Sequence, residues 1–197
     1  MHMIELGKQV VSAEGRALML LAKQLGDSFD RAVGLLAGCQ GHVITSGVGT
    51  TGIIARRFAH LLCNVGCPAL FLHSGDSLHG SSGAVKAEDV LFLISKTGET
   101  QETCELARIV SERGASTIAL TSMPESTLAR LSRIALIVDT PPEIDPYQGL
   151  MAVGSSLVMG SLCDALVICV LETKGTPREW FVSGHPGGII HHLSQDQ

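Results

Sequence analysis

At 197 residues, with 45% hydrophobic and 17% charged side chains and a mean hydropathy of +0.32, the chain suits one well-buried domain and is short for two. A net charge of −5 and a pI near 5.9 argue against nucleic acid or an anionic membrane as partner of the whole domain. Aromatic residues, at 4%, leave little for stacking on single-stranded bases, and with a net negative charge any anion the chain binds is captured locally.

Six cysteines, at 39, 63, 67, 104, 163 and 169, fall in segments that read as helix or core. They lack the paired spacing of a zinc site or a disulfide framework and read as buried thiols in a reducing compartment, which sets a cytoplasmic location as the expectation. The first eight residues already carry Glu5 and lack a basic start before an apolar block, so no signal peptide is expected.

Residues 3–38 form a helical region, with Leu18, Leu21, Leu25, Phe29, Val33 and Leu36 recurring at threes and fours. Gly38 and Gly41 close it, and Gly15, Gly26 and Gly34 inside it predict at least one break. A helix-turn-helix reader of DNA would need more helices and a basic recognition face. Residues 42–45 form a first strand, which runs into the glycine-rich turn 46–52 and a helix bearing Ile53, Ile54, Phe58, Leu61 and Leu62. The turn invites a dinucleotide reading. That reading needs an acidic residue at the end of a second strand about 20 residues on. Phe71-Leu-His-Ser stands there instead.

The pattern then repeats. Strands are expected at 68–72, 90–94, 117–120 and 134–138, with a polar turn at 76–83 that holds His79. Strands alternating with helices at this spacing predict an α/β fold with a parallel sheet covered on both faces. Ligands of such sheets sit outside the carboxyl ends of the strands, which places residues 46–52, 73–79, 95–102 and the loop after Val138 around one crevice. That loop, 139–147, is acidic and proline-stiffened, and a long apolar helix follows over 148–173. Its stretch 150–171 has the length to cross a membrane, but Asp164 inside it, with Ser155, Ser156 and Ser161, makes a helix buried in the domain or in a subunit interface the expected reading. A short helix after Thr176-Pro177 leads to His185-Pro-Gly-Gly188.

Most chemistry gathers at 89–102. The apolar run Val90 to Ile94 reads as a strand buried on both faces. Ser95, Lys96, Thr97, Gly98 and Thr100 follow, then Glu99 and Glu102 at the first turn of a helix that continues through Cys104, Leu106, Ala107 and Val110. A strand end, a hydroxyl-rich turn and a helix N-terminus together offer an anion site, since free N–H groups and the helix dipole point at its occupant. Ordinary capping stays open beside this, with Thr97 or Thr100 closing the helix as in a capping box.

Together these residues resemble the sugar isomerase (SIS) domain family, and within it the arabinose-5-phosphate isomerase branch. The turn Ser46 to Gly52, Ser-x-Thr-Gly-x-Thr at 95–100, Glu143-x-x-Pro146 and above all His185-Pro-Gly-Gly188 stand in that order over about residues 5–193. The resemblance implies a three-layer α/β sandwich around a five-stranded parallel sheet, flavodoxin- or Rossmann-like. It also implies a cytoplasmic homotetramer that binds a phosphorylated sugar, with neither a metal nor an organic cofactor required. One domain would then span 1–197, with a helical region 3–38, a core 42–174 and a C-terminal segment 175–197. By the same resemblance the phosphate falls to Ser95, Thr97 and Thr100 with Lys96, beside Ser46, Gly47, Gly49, Thr50 and Thr51 of the glycine turn. The catalytic set falls on Glu102, Glu143 and His185, with His79 also at the site.

Three departures stand out. The branch carries a lysine where this chain has Thr50, and Lys96 is the candidate substitute charge. Asp145 replaces the usual cysteine, and the pair of CBS domains that many branch members carry has no counterpart in these residues. Aldose–ketose interconversion moves a proton between C1 and C2 through an enediol, which a carboxylate base and an imidazole can serve. The assignment is Glu102 as base, Glu143 as second acid/base and His185 for ring opening or oxygen protonation. Each residue keeps a plainer alternative: Glu102 as a dipole-favoured acid, Glu143 and Asp145 as a solvated acidic loop, His79 as a hydrogen-bonded structural histidine, His185 as a pin for the C-terminal segment. His191 and His192 read as surface residues. A catalytically silent sugar-phosphate binding module is the competing function.

Overall fold

The computed structural model describes residues 2–186. Five strands, β1 (Val43–Ser46), β2 (Ala69–Phe71), β3 (Val90–Ile94), β4 (Ser116–Thr121) and β5 (Ile134–Ile137), form one sheet in the order β2-β1-β3-β4-β5, parallel throughout. The helical region divides once, into α1 (Met3–Gln24) and α2 (Asp27–Ala37), at the extended Gly26. Gly15 and Gly34 stay helical with open space where a Cβ would project. The other helices are α3 (Thr50–Asn64), α4 (Ser74–Ser77), α5 (Gln101–Glu112), α6 (Thr127–Leu131), α7 (Gly154–Lys174) and α8 (Arg178–Ser183). The polar turn expected over 76–83 is α4 followed by a 3-10 turn, Ser81–Ala84.

The alternation along β3 sorts the two faces. Val90, Phe92 and Ile94 join a core built with α1, α2, α3 and α7, while Leu91 and Leu93 join one built with α5 and Leu128 of α6. Every side chain of β3 is buried, because both faces are covered. Phe58 of α3 packs on Phe92 with ring centroids 4.7 Å apart, and burial of such a side chain contributes about 1.5–3 kcal/mol.

Helix α7 is the one described helix long and apolar enough to cross a membrane, and half of its most apolar stretch is buried inside the domain. Val158, Leu162, Leu166 and Val170 pack into the core, and Asp164 on its outer side pairs with Arg57 of α3 at 2.5 Å. It begins at Gly154, six residues later than the apolar run suggests. Before it, Tyr147, Gln148 and Gly149 all take left-handed backbone, with φ of +55°, +58° and +89°.

Candidate active site

The strand order reverses between β1 and β3. In open parallel sheets that reversal opens a crevice at the carboxyl ends of the strands. Ser46 ends β1 and Ser95 follows β3, so both glycine- and hydroxyl-rich turns flank it.

The first turn is built by close backbone approach. A Cβ on Gly47 would lie 2.9 Å from the Thr51 carbonyl carbon, and Gly49 has φ of +59°, so glycine is required at both positions. Helix α3 starts already at Thr50, and its N-cap, Gly49, offers no side chain to its free N–H groups. Two hydroxyls assigned to binding are turned inward. Ser46 Oγ donates to the Leu72 carbonyl at 2.5 Å, and Thr51 Oγ1 donates to the Val48 carbonyl at 2.9 Å and accepts its N–H at 3.2 Å. Thr50 is the exposed hydroxyl of this turn. Ser46 Oγ also bonds Ser74 Oγ at 2.8 Å, which bonds Thr103 Oγ1 at 3.2 Å. This buried chain ties the loops after β1 and β2 to α5. Sequence reasoning missed Ser74 and Thr103, since isolated hydroxyls carry no periodic signal.

The second turn decides between capping and an anion site. Helix α5 begins at Gln101 with Thr100 as N-cap, and no side chain caps it. The Thr100 hydroxyl bonds Ser95 Oγ at 2.9 Å instead, and Thr97 Oγ1 accepts the Glu99 N–H at 3.3 Å. The capping alternative is therefore corrected, because neither threonine serves the helix. Glu99 is not in the first turn either. It precedes α5, and its carboxylate accepts the Thr127 N–H at 2.8 Å, a bond that opens α6 and holds the Glu99 carboxyl below its ordinary range. Both α3 and α5 thus present uncapped N-termini at the reversal, whereas α6 is capped by Ser126. Glu102 stands half-buried in the first turn of α5.

Beyond β5 the loop carries Glu143 in a 3-10 turn, Pro142–Ile144, with its side chain exposed. Asp145 is no solvated acid: it is 4% exposed. One carboxylate oxygen accepts the N–H groups of Val153 (2.9 Å) and Ser155 (3.0 Å), and the other accepts from Lys96 Nζ at 2.5 Å. Burial alone would raise the Asp145 carboxyl, but the hydrogen bonds from Lys96 and Ser155 and the Lys96 charge outweigh it and hold the group below the carboxylate range. The Lys96 charge is accordingly balanced inside the protein, which corrects the expectation that it simply replaces the missing lysine at Thr50.

The histidines separate. His79 lies exposed on the loop after α4, at the crevice end of the sheet, and its ring has no hydrogen-bond partner among the described residues, so the structural-histidine alternative fails. His185 follows α8, with Nδ1 2.7 Å from the Phe181 carbonyl and its ring 4.3 Å from that of Phe181. Helix α8 is anchored by Thr176 Oγ1 to the Val65 carbonyl and by Trp180 against Gly66, at the far end of α3. At 1.5 Å per residue, the length of α3 puts that end about 20 Å from the crevice. His185 therefore does not converge with Glu102 and Glu143 of its own chain. Gly187, Gly188, His191 and His192 lie outside the described residues. Among the described residues no three His, Cys, Asp or Glu side chains gather as a metal site would need.

Comparison with known proteins joins this geometry to a lineage. The SIS domain model matches residues 36–169, from the end of α2 into α7. Arabinose 5-phosphate isomerase KdsD of Yersinia pestis is 34% identical over 187 residues, covering 93% of this chain and 56% of that protein. Arabinose 5-phosphate isomerase GutQ of Salmonella typhi is 30% identical over 199 residues, covering 97% and 62%. The chain thus spans little more than half the length of these curated relatives. The structure of Escherichia coli CFT073 c3406 in complex with arabinose 5-phosphate matches with a TM-score of 0.88 at 32% identity, covering 93% of this chain and 97% of that one. A family model running across all five strands and both crevice turns, and relatives matched over nearly the whole chain, lead to one conclusion: this chain belongs to the SIS domain family.

Proposed function

We propose that the chain binds a phosphorylated sugar at the carboxyl ends of β1 and β3 and isomerises it between aldose and ketose forms through an enediol. The observation that carries this reading is the uncapped N-terminus of α5 with Glu102 in its first turn. Free N–H groups and the helix dipole favour the phosphate there, while Thr97, Thr100, Thr50 and the N-terminus of α3 add donors around it. A carboxylate one turn away is placed to move a proton on the carbon chain of a sugar so held.

Glu102 acts as the base that shuttles the proton between C1 and C2. Glu143, on a backbone fixed by its buried neighbours Ile144 and Asp145, is the second acid/base, and His79 borders the same crevice. His185 serves oxygen protonation or ring opening in the site of a neighbouring subunit, which fits its place at the far end of α3. A cytoplasmic homotetramer is the assembly we infer. Exposed apolar side chains support it: Val11 and Met19 on α1, Ile53 on α3, Leu157 and Ile168 on α7. Thr50 in place of lysine, with the Lys96 charge already balanced, favours a second reading, a binding module without turnover.

The test is to incubate the purified protein with a panel of aldose and ketose phosphates of four to seven carbons, arabinose 5-phosphate among them. Proton exchange with solvent deuterium at C1 or C2 is the readout. Exchange with at least one of them is expected. Binding without exchange for every member would overturn the isomerase and leave the module.

A further inference from the structure

Lys96 and Asp145 stand 49 residues apart in the chain, one in the turn after β3 and the other in the loop after β5, with β4 between those strands. Their contact is not a surface ion pair, since the Asp145 side chain is 2% exposed and that of Lys96 27%. Lys96 Nζ also donates to the Gly149 carbonyl at 3.0 Å, and Asp145 receives the N–H groups of Val153 and Ser155. One lysine and one carboxylate thus hold the second half of the loop, from Asp145 through Gly149 to its junction with α7, while Gln24 of α1 brackets Asp139 at its start.

The segment they enclose is strained. Tyr147 and Gln148 occupy left-handed backbone that residues with a Cβ rarely adopt, and Gly149 continues it. Such conformations persist only where the surroundings over-determine them. Tyr147, Leu150 and Met151 are exposed, so their side-chain packing does not supply that constraint; the bonds to Lys96 and the Asp145 carboxylate do, together with backbone bonds from the Gly149 N–H to Asp145 and the Met151 N–H to Pro146. Glu143 has no hydrogen-bond partner among the described residues, so its position follows from the backbone next to it.

We propose that the Lys96–Asp145 pair is a positioning latch, which ties the loop carrying Glu143 to the phosphate turn so that the two halves of the site form as one unit. Lys96 and Asp145 are positioning residues here, and the role of Glu143 rests on the isomerase reading above. The lysine of the phosphate turn is committed to the loop, and the phosphate is left to the helix N-termini and hydroxyls.

Hydrogen–deuterium exchange of the full chain, without ligand, tests the latch independently of catalysis. In Lys96→Met and Lys96→Gln, amides in 145–155 are expected to exchange at least about tenfold faster, with β3 and β4 unchanged. Asp145→Asn, which keeps an acceptor for the α7 amides, should do the same, and Lys96→Arg should restore protection. With arabinose 5-phosphate as probe substrate, Lys96→Met should lower kcat about tenfold or more with KM within roughly threefold, and Lys96→Arg should recover it. Unchanged exchange in 145–155 in whichever of the Lys96→Met, Lys96→Gln and Asp145→Asn variants folds would overturn the proposal. So would a KM raised about tenfold at constant kcat, the mark of a phosphate ligand. If the wild type turns over no sugar phosphate, the isomerase reading falls and the exchange data alone decide the latch.

Discussion

Gly98 offers a graded test of how tightly the turn after β3 is built. Its φ is +66°, and a Cβ there would stand 2.1 Å from Ser126 Oγ and 2.4 Å from Ser126 Cβ. Gly98→Ala therefore meets two costs: left-handed backbone with a Cβ, about 1–2 kcal/mol, and overpacking against α6, about 1–3 kcal/mol. The sum is about 2–5 kcal/mol, which for a domain of this size lowers Tm by about 4–20 °C. Gly175, which ends α7, is left-handed too, with φ of +60° and ψ of +35°, but has nothing within 4 Å, so Gly175→Ala isolates the first cost, about 2–8 °C. Gly83, with open space and ordinary φ, should be neutral or slightly stabilised as alanine. Scanning calorimetry of the three variants at one fixed protein concentration, which keeps assembly constant, reads the series directly. In Gly98→Ala/Ser126→Gly the clash is removed while the strain stays, so part of the loss should return. A Gly98→Ala no less stable than Gly175→Ala would refute the claim that contact with Ser126 constrains this turn.

Other measurements bear on separate links. Glu102→Gln should cut turnover by about 10²–10⁴-fold while arabinose 5-phosphate still binds, and undiminished turnover would remove Glu102 from the role of base. Thr97→Ala combined with Thr100→Ala should weaken sugar-phosphate binding; unchanged affinity by calorimetric titration would shift the phosphate to the α3 turn. Because Asp145 is held below its unfolded value, its stabilisation is full above about pH 4 and fades as pH falls through the folded value. The stability gap between wild type and Asp145→Asn in urea should accordingly narrow from pH 5 to pH 3, and a constant gap would contradict the ionised pair. Burial pushes the Cys67 thiol up to about 11 and raises that of Cys163 as well, while Cys39 and Cys169 are half-buried and Cys63 is exposed, which corrects the expectation of six buried thiols. A neutral-pH alkylating agent should label Cys63 well before Cys67 or Cys163, as peptide mass mapping would show.

The sheet was legible because its signal is periodic and local. Continuous apolar runs named all five strands to within a residue or two at each end, and glycines at 15, 26 and 34 announced a break in the helical region without saying which of them makes it. The crevice followed from topology, since strand-end turns of a parallel sheet converge by necessity. What stayed hidden was the destination of individual polar side chains. Nothing local distinguishes Glu99, which serves the start of α6 28 residues away, from Glu102, which does not. Asp145 looked solvated among Glu143 and three prolines, and only the approach of Lys96 and the start of α7 bury it. The place of His185 was equally beyond reach, because it depends on α8 docking at the far end of α3.

The hydroxyl chain from Ser46 through Ser74 to Thr103 bears on how a ligand meets the crevice. Its links are made within the protein, out of contact with solvent, and none of them requires an occupant. The loops after β1 and β2 and the first turn of α5 are thus held in register before any ligand arrives. The conformational entropy of ordering them is already lost during folding rather than during association. Ligand capture at this end of the sheet should resemble the filling of a rigid mould, with little change in the exchange or mobility of residues 46–52 and 72–77.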